Sequence, residues 1–286
     1  MAITSKFKHL LNECLGLVNL RIETRTAELS ERLRLLNLER TGHFVQPVVP
    51  LLPQIARCDP KPVLEALERF REQTSRFDRS RSDGRYSFSN DYFTSPDAEV
   101  AYVLVRLLEP HRLIEVGSGN STLLFREAIQ DGELSTELVS IDPLPRRAIE
   151  AAADRVIQRR LENVPAPEIS DALDANDILF IDSSHDVRIG NDVVELFLRI
   201  VPNLKKGVIV HIHDIFLPFE YPRQWIIENK WTLNEQYLVQ AMLQDSERFE
   251  VIWPGHYLQR ILPGFADYFT GASLGTATSL WLRKVG

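Results

Sequence analysis

One nine-residue stretch, Ile114-Glu115-Val116-Gly117-Ser118-Gly119-Asn120-Ser121-Thr122, constrains the fold of this chain more than any other. A short apolar run, Leu113 to Val116, carries a single carboxylate and passes into a turn built on two glycines. Leu123, Leu124, Phe125, Ala128 and Ile129 then recur at the spacing of one helical face. Asn120 or Ser121 is placed to cap the first turn of that helix by accepting a backbone N–H. Glycines at 117 and 119 let a ligand approach the backbone closely, and the helix N-terminus directs free N–H groups at it. A strand, a glycine turn and a helix in this order predict a nucleotide-like binding site in an α/β fold.

The details of the turn narrow the ligand. A dinucleotide fingerprint requires a third glycine three residues after the second, and Thr122 stands there instead. Glu115 would repel a phosphate and would suit a cationic amino-acid or sulfonium group. Three further apolar runs end in the same manner. Leu138–Ile141 leads into Asp142-Pro143, Ile178–Ile181 into Asp182-Ser183-Ser184-His185-Asp186, and Val208–Ile212 into His213-Asp214. Asp142 falls where a doubly wound fold places the carboxylate that binds ribose hydroxyls. In an open parallel sheet the ligand crevice lies beyond the carboxyl ends of the strands, so these four termini are expected along one edge.

The chain has 286 residues, 44% of them hydrophobic and 26% charged, which suits a globular domain with an N-terminal elaboration. Its formal net charge of −7, concentrated after residue 92, argues against a nucleic acid held in a basic groove. Cys14 and Cys58 are too few and too dispersed for a disulfide framework or a zinc cluster, and a cytoplasmic setting is the expectation. Met1 to Leu20 is interrupted by Lys6, Lys8, His9, Asn12 and Glu13, so neither a transmembrane span nor a signal peptide is expected. Phe7, Leu10, Leu11, Cys14, Leu15 and Val18, then Leu29, Leu33 and Leu36, are spaced as on helical faces. Such faces pack on their own domain, on a second copy in a homo-oligomer, or on a membrane surface. Five prolines between residues 47 and 62 mark a linker, a helix resumes over Val63 to Phe70, and Arg76 to Gly84 reads as a solvated loop. The expected division is an N-terminal helical extension and linker over 1–85 and a catalytic domain over 86–286.

Five further segments complete the pattern. Ser95-Pro96-Asp97 starts a helix with Ala98, Ala101, Leu104, Val105 and Leu108 on its buried face. Val164 to Ile169 is expected as a strand that delivers Asp171, either to an adenine amino group or to a solvated turn. Phe216, Pro218, Tyr221 and Pro222 either shape a lid or pack a connection. Phe249–Trp253 and Ser279–Leu282 are expected as the last two strands.

The glycine turn with its preceding acid resembles the first motif of class I S-adenosylmethionine-dependent methyltransferases. The order of Glu115, Asp142-Pro143, Asp171-Ala172, Asp182-Ser183-Ser184-His185, His213-Asp214 and Asn234-Glu235-Gln236 is similar to a subfamily related to sugar and macrolide O-methyltransferases and to cephalosporin-hydroxylase-like proteins. The resemblance covers residues 86 to 286. It implies a Rossmann-like, mostly parallel seven-stranded sheet with helices on both faces and its last two strands antiparallel. It implies S-adenosylmethionine as cofactor, held by Glu115, Gly117, Ser118, Gly119, Asn120, Ser121, Asp142, Asp171 and Asp182. Asp182, His185, His213 and Asp214 fall where metal-dependent members place their ligands and base, although those members carry two adjacent carboxylates where this chain has His213-Asp214.

Methyl transfer to oxygen requires an acceptor held in line and a group that takes its proton. His213 is the first candidate base, His185 the second, with Asp214 beside them; Asp182 and Asp214 supply oxygen ligands of the kind Mg²⁺ or another divalent cation takes. The expected substrate is a small hydroxylated molecule such as a sugar or a glycosylated metabolite. Two other classes stay open: a metal-dependent hydroxylase or hydrolase on the Asp/His cluster, and a non-catalytic cofactor-binding partner protein.

Overall fold

The computed structural model describes residues 2–17, 26–78 and 84–286, and divides into two units. The smaller comprises residues 1–46 and 222–231. It holds helices Ala2–Gly16 and Thr26–Arg40 and a π-helical turn Gln224–Glu228. Within it, Arg223 pairs with Glu39 and Glu228, and Trp225 lies against Trp231 with ring centroids 5.0 Å apart. Phe7, Leu10, Leu29 and Leu33 are exposed on its helices, while Val18 lies outside the described residues.

The larger unit, residues 47–221 and 232–286, is built on a seven-stranded sheet. Its strands are β1 (Arg112–Val116), β2 (Glu137–Ile141), β3 (Arg155–Ile157), β4 (Ile178–Ile181), β5 (Ile209–Ile212), β6 (Phe249–Pro254) and β7 (Leu280–Lys284). Their order is β3-β2-β1-β4-β5-β7-β6; the first five run parallel, and β7 enters antiparallel between β5 and β6. Near-continuous apolar runs form the central strands because both faces are covered. Leu113, Phe180, Ile209 and Trp281 pack on one face against the helices Lys61–Arg69, Asp97–Leu108 and Asn120–Asp131. Ile114, Val116, Leu179, Val210 and Leu282 pack on the other with Val193, Leu196, Ile200, Val239 and Leu243. The expected Rossmann-like, mostly parallel seven-stranded sheet is therefore present, including its antiparallel end.

Four local expectations are corrected. Val164–Ile169 is not a strand: Pro165 and Pro167 cannot donate to a ladder, and helix Ala166–Ser170 forms there while β3 lies earlier. The helix after the glycine turn is capped by neither Asn120 nor Ser121, for Gly119 is the N-cap residue and its N–H donates to Thr122 Oγ1 at 3.0 Å. The charged run beginning at Arg76 is not wholly solvated. Phe77 is fully buried and Arg76 bonds Glu127 and Asp131, whereas residues 79–83 lie outside the described residues. The proline-rich stretch packs rather than links, since Leu52 and Ile55 are buried on the sheet unit and Gln54 Nε2 donates to Leu243 O at 2.9 Å.

Candidate active site

Parallel register brings the strand ends into one row. Val116 is paired with Ile141 and Ile181, and Ile181 with Ile212. One step beyond, the row continues through the backbone: Gly117 N donates to Ile141 O, Asp182 N to Val116 O and His213 N to Ile181 O, each at 3.0 Å. Asp142 N donates to Ile157 O at 3.2 Å. Glycine turn, Asp142, Asp182 and His213 are thus neighbours at the carboxyl edge, as the motif order implied.

The two glycines of the turn do different work. Gly117 has φ +84°, and a Cβ there would lie 1.8 Å from Asp182 O, so only glycine lets the turn seat against β4. At Gly119 a Cβ would meet nothing within 4 Å, which leaves open space over the first turn of the helix, where the N–H groups have no intrahelical acceptor. Asp142 braces the turn: Oδ2 accepts from Ser118 N at 2.8 Å and Ser118 Oγ at 3.0 Å, and Oδ1 accepts from Leu144 N at 2.8 Å. Asn120 Nδ2 donates to Asn90 Oδ1 at 3.1 Å, and Asn90 also accepts from Tyr92 N and Phe93 N. The aromatic segment before the helix is thereby tied to the turn, a contact no sequence spacing announces.

Glu115 has no exposed surface and lies under the turn. Its carboxylate accepts from Ser121 Oγ, from Thr122 Oγ1 at 2.5 Å and from Ser140 Oγ at 3.0 Å. Burial pushes its pKa up to about 7, against the opposing pull of these hydroxyls. Ser121 is accordingly turned inward to Glu115. Asp171 stands apart from the row and is a correction. Its carbonyl accepts from Lys205, and the adjacent Ala172 carbonyl from Arg112 at the start of β1, which puts Asp171 at the amino edge of the sheet.

Beyond β4 and β5 the side chains converge. His185 and Asp214 both adopt left-handed backbone, φ +57° and +56°, a conformation that non-glycine residues hold only where their surroundings impose it. His185 Nε2 lies 3.2 Å from Asp182 Oδ1 and 3.7 Å from Asp214 Oδ2, while Nδ1 is 2.8 Å from Glu235 Oε2. Burial alone would lower the pKa of His185, but the bonds to Asp182 and Glu235 and the charge of Asp214 raise it well above the usual imidazole range. Burial would likewise raise the Asp182 pKa, yet His213 and His185 hold it below the usual carboxylate range.

His213 is set differently. Its Nε2 lies 3.3 Å from Thr278 Oγ1 and 3.9 Å from Asp214 Oδ1, and its ring centroid is 5.4 Å from that of Phe93. Asp97 accepts from Thr278 N at 2.8 Å, Thr278 Oγ1 at 3.0 Å and Ser279 N at 3.1 Å. The Thr278 hydroxyl donates to Asp97 and lies against Nε2 of His213, while Nδ1 is a buried atom without a hydrogen-bond partner. Burial lowers the His213 pKa, but Asp182, Asp214 and Asp97 outweigh it and raise it. His211, two residues earlier, stacks on Phe180 at 3.8 Å and is buried away from this edge, its pKa well below normal through burial and the neighbouring His213.

The triplet Asn234-Glu235-Gln236 supplies hydrogen-bond partners. Asn234 Oδ1 accepts from Val187 N at 2.5 Å, Glu235 holds His185, and Gln236 Oε1 accepts from Phe216 N at 3.1 Å. Phe216 and Tyr221 are buried, so the aromatic loop packs the connection. Asp97, Thr278 and Glu235 are the site residues that motif reading passed over. Only a structure shows that a helix start and a strand start meet beside His213.

Asp182 and Asp214 are the expected metal pair, and both lie within 4 Å of His185 Nε2. Among the described residues no group of three or more His, Cys, Asp or Glu is disposed to hold a metal. No helix among the described residues is long and apolar enough to cross a membrane.

Fold and strand-end row together define an open, mostly parallel α/β sheet with its candidate site at the carboxyl edge. Residues 114–215 match the family model described as a methyltransferase domain, a span that opens in β1 and closes just beyond His213-Asp214. No curated protein matches the sequence. Among solved structures, the O-methyltransferase TomG from Streptomyces achromogenes, involved in tomaymycin synthesis and in complex with SAM, is 15% identical. That match covers 90% of this chain and 99% of TomG, with a TM-score of 0.43. The SAH-bound methyltransferase PaMTH1 of Podospora anserina is 17% identical, covering 93% and 99% at a TM-score of 0.37. An O-methyltransferase from Bacillus cereus in complex with SAH is 11% identical, covering 78% and 91% at 0.42.

Proposed function

We propose that this chain is a methyltransferase that uses S-adenosylmethionine to methylate a hydroxyl oxygen of a small molecule such as a sugar or glycosylated metabolite. One observation carries the reading: His213 stands in the same strand-end row as the glycine turn. The cofactor supplies an electrophilic methyl group on sulfonium. Gly117, Ser118, Gly119, Asn120 and Asp142 would hold it, with the open space over Gly119 for its amino-acid end and Asp142 for ribose hydroxyls. Glu115 and Ser121 act from beneath by fixing the turn.

His213 takes the hydroxyl proton as the new O–C bond forms, and Thr278 with Asp97 fixes the orientation of its ring. Asp182 and Asp214 beside it favour the resulting imidazolium. His185 and Asp214 border the acceptor. Self-association through the exposed leader residues Phe7, Leu10, Leu29 and Leu33, and a cytoplasmic setting for a chain whose two cysteines form no disulfide, belong to the same proposal.

The test is calorimetry with S-adenosylmethionine, followed by mass spectrometry of reactions with a panel of hydroxylated metabolites. Binding, a product heavier by one methylene and release of demethylated cofactor are expected. Absence of binding at millimolar cofactor, or binding of a nicotinamide dinucleotide instead, refutes the reading.

A further inference from the structure

We infer that His256 is an acceptor-binding residue, whose Nε2 receives a hydrogen bond from a second hydroxyl of the methyl acceptor while His213 faces the reacting one. The acceptor is then a glycoside long enough to span two positions on the carboxyl edge. This assignment rests on the methyltransferase reading and specifies its substrate.

Topology places His256 at that edge. β6 runs antiparallel to β7, and β7 antiparallel to β5, so β6 ends where β5 ends. Ile212 and Pro254 both pair with Leu280, and His256 follows two residues beyond Pro254. Just ahead of β7 the chain passes between these two strand ends with its carbonyls alternating. Thr278 O accepts from Ile215 N at 2.8 Å on the β5 side, and Ser279 O from Gly255 N at 2.9 Å on the β6 side. On that second side Ala277 O lies 3.2 Å from His256 Nδ1. His213 touches Thr278 and His256 touches Ala277, so the two imidazoles flank one segment. β5 and β6 are two strand spacings apart, about 9–10 Å, which is wider than a single sugar ring.

The partners of the ring fix its chemistry. A carbonyl only accepts, so Nδ1 carries the hydrogen. Burial, assisted by the charge of Arg260 and opposed by the bond to Ala277, brings the pKa down to about 4 and keeps the ring neutral at neutral pH. Nε2 therefore holds a lone pair. It has no hydrogen-bond partner among the described residues and is not sealed from solvent, although His256 as a whole is only 9% exposed. A hydroxyl donating to it meets apolar walls, for the Phe216 and Phe219 rings have centroids 5.0 and 5.6 Å from that of the imidazole. Phe216 is buried; Phe219 is half-buried, with the Arg260 guanidinium 4.1 Å from its centroid, and offers a surface for the C–H face of a sugar ring. One polar atom set among aromatic walls is the usual make-up of a small-molecule site.

Histidine ¹⁵N resonances of the full chain, recorded without cofactor, test the assignment. At neutral pH His256 should show a protonated Nδ1 and a bare Nε2, and titration with methyl glycosides of one ring and of two rings should move the Nε2 signal. The two-ring compounds should bind about tenfold more tightly or better, the effect of one further hydrogen bond. His256→Asn keeps an N–H near Ala277 O but places no group at the Nε2 position, and should lose that preference. His256→Gln, whose amide oxygen reaches that position, should recover part of it.

An Nε2 signal that no glycoside moves, equal affinity for one ring and two, a protonated Nε2, or a folded His256→Asn protein with undiminished preference would each overturn the assignment. Should His256→Asn not fold, the wild-type titration alone decides. Failure of the methyltransferase reading would show in calorimetry with S-adenosylmethionine and leave the glycoside titration untouched.

Discussion

Replacing Glu115 by glutamine tests the account of the glycine turn most directly. The carboxyl group is fully enclosed, and burial carries its pKa from 4.5 to about 7 despite three hydroxyl donors. In the unfolded chain the proton leaves near pH 4.5; in the folded chain it stays until near pH 7. Over that interval the native state binds the additional proton, so stability falls as pH rises. The contribution is complete below pH 4.5 and lost above about pH 7. At about 1.36 kcal/mol per pH unit, the interval is worth on the order of 3 kcal/mol. Glutamine keeps the shape and one carbonyl acceptor but has no proton to lose. The stability of wild type relative to Glu115→Gln should therefore decline by about 3 kcal/mol between pH 4.5 and pH 8, while titrations elsewhere cancel in the difference. Urea unfolding of both proteins across this range reads it. A difference that stays flat, or one that moves in wild type's favour, refutes the reasoning. Calorimetry on the same variant adds the functional half. Because Glu115 acts beneath the turn, S-adenosylmethionine affinity should stay within about tenfold, or 1.4 kcal/mol; collapse of binding in a stably folded variant would put the carboxylate in contact with the ligand.

The two glycines should separate fold from ligand. Gly117→Ala forces a Cβ into the Asp182 carbonyl at positive φ and should lower the melting temperature by several degrees, whereas Gly119→Ala should leave melting unchanged and weaken cofactor binding at least tenfold; equal melting effects would contradict the geometry. His213→Ala should lower turnover by roughly 10²–10⁴-fold with cofactor affinity retained. Since the His213 pKa is raised and the base must be neutral, wild-type turnover should climb with pH through a limb above 6.5, and Asp97→Asn, which removes one of the charges holding that proton, should move the limb to lower pH. A pH profile unaffected by Asp97→Asn would detach Asp97 from the base.

The sequence by itself determined the sheet, the turn and the order of polar strand ends, because these follow from short-range chemistry. Apolar runs of four or five residues form buried strands, glycines permit the turn, and parallel pairing makes every strand deliver its next residue to the same edge. Gly117, Asp142, Asp182 and His213 could therefore be placed in one row without coordinates. Tertiary structure alone decided what each polar group does there. Glu115 reads as a ligand group until Ser121, Thr122 and Ser140 are seen to surround it. Asp171 reads as an adenine contact until the prolines turn its expected strand into a helix that ends at the far edge. The company of Asp182 and Asp214 is not legible either: left-handed backbone at residues 185 and 214 brings the His185 imidazole beside both carboxylates, held by Glu235 some fifty residues along the chain. How the His213 ring is held depends on Thr278 and Asp97, groups 65 and 181 residues from their partners. Such roles come from burial and from contacts closed over long loops, and no local pattern of residues encodes either.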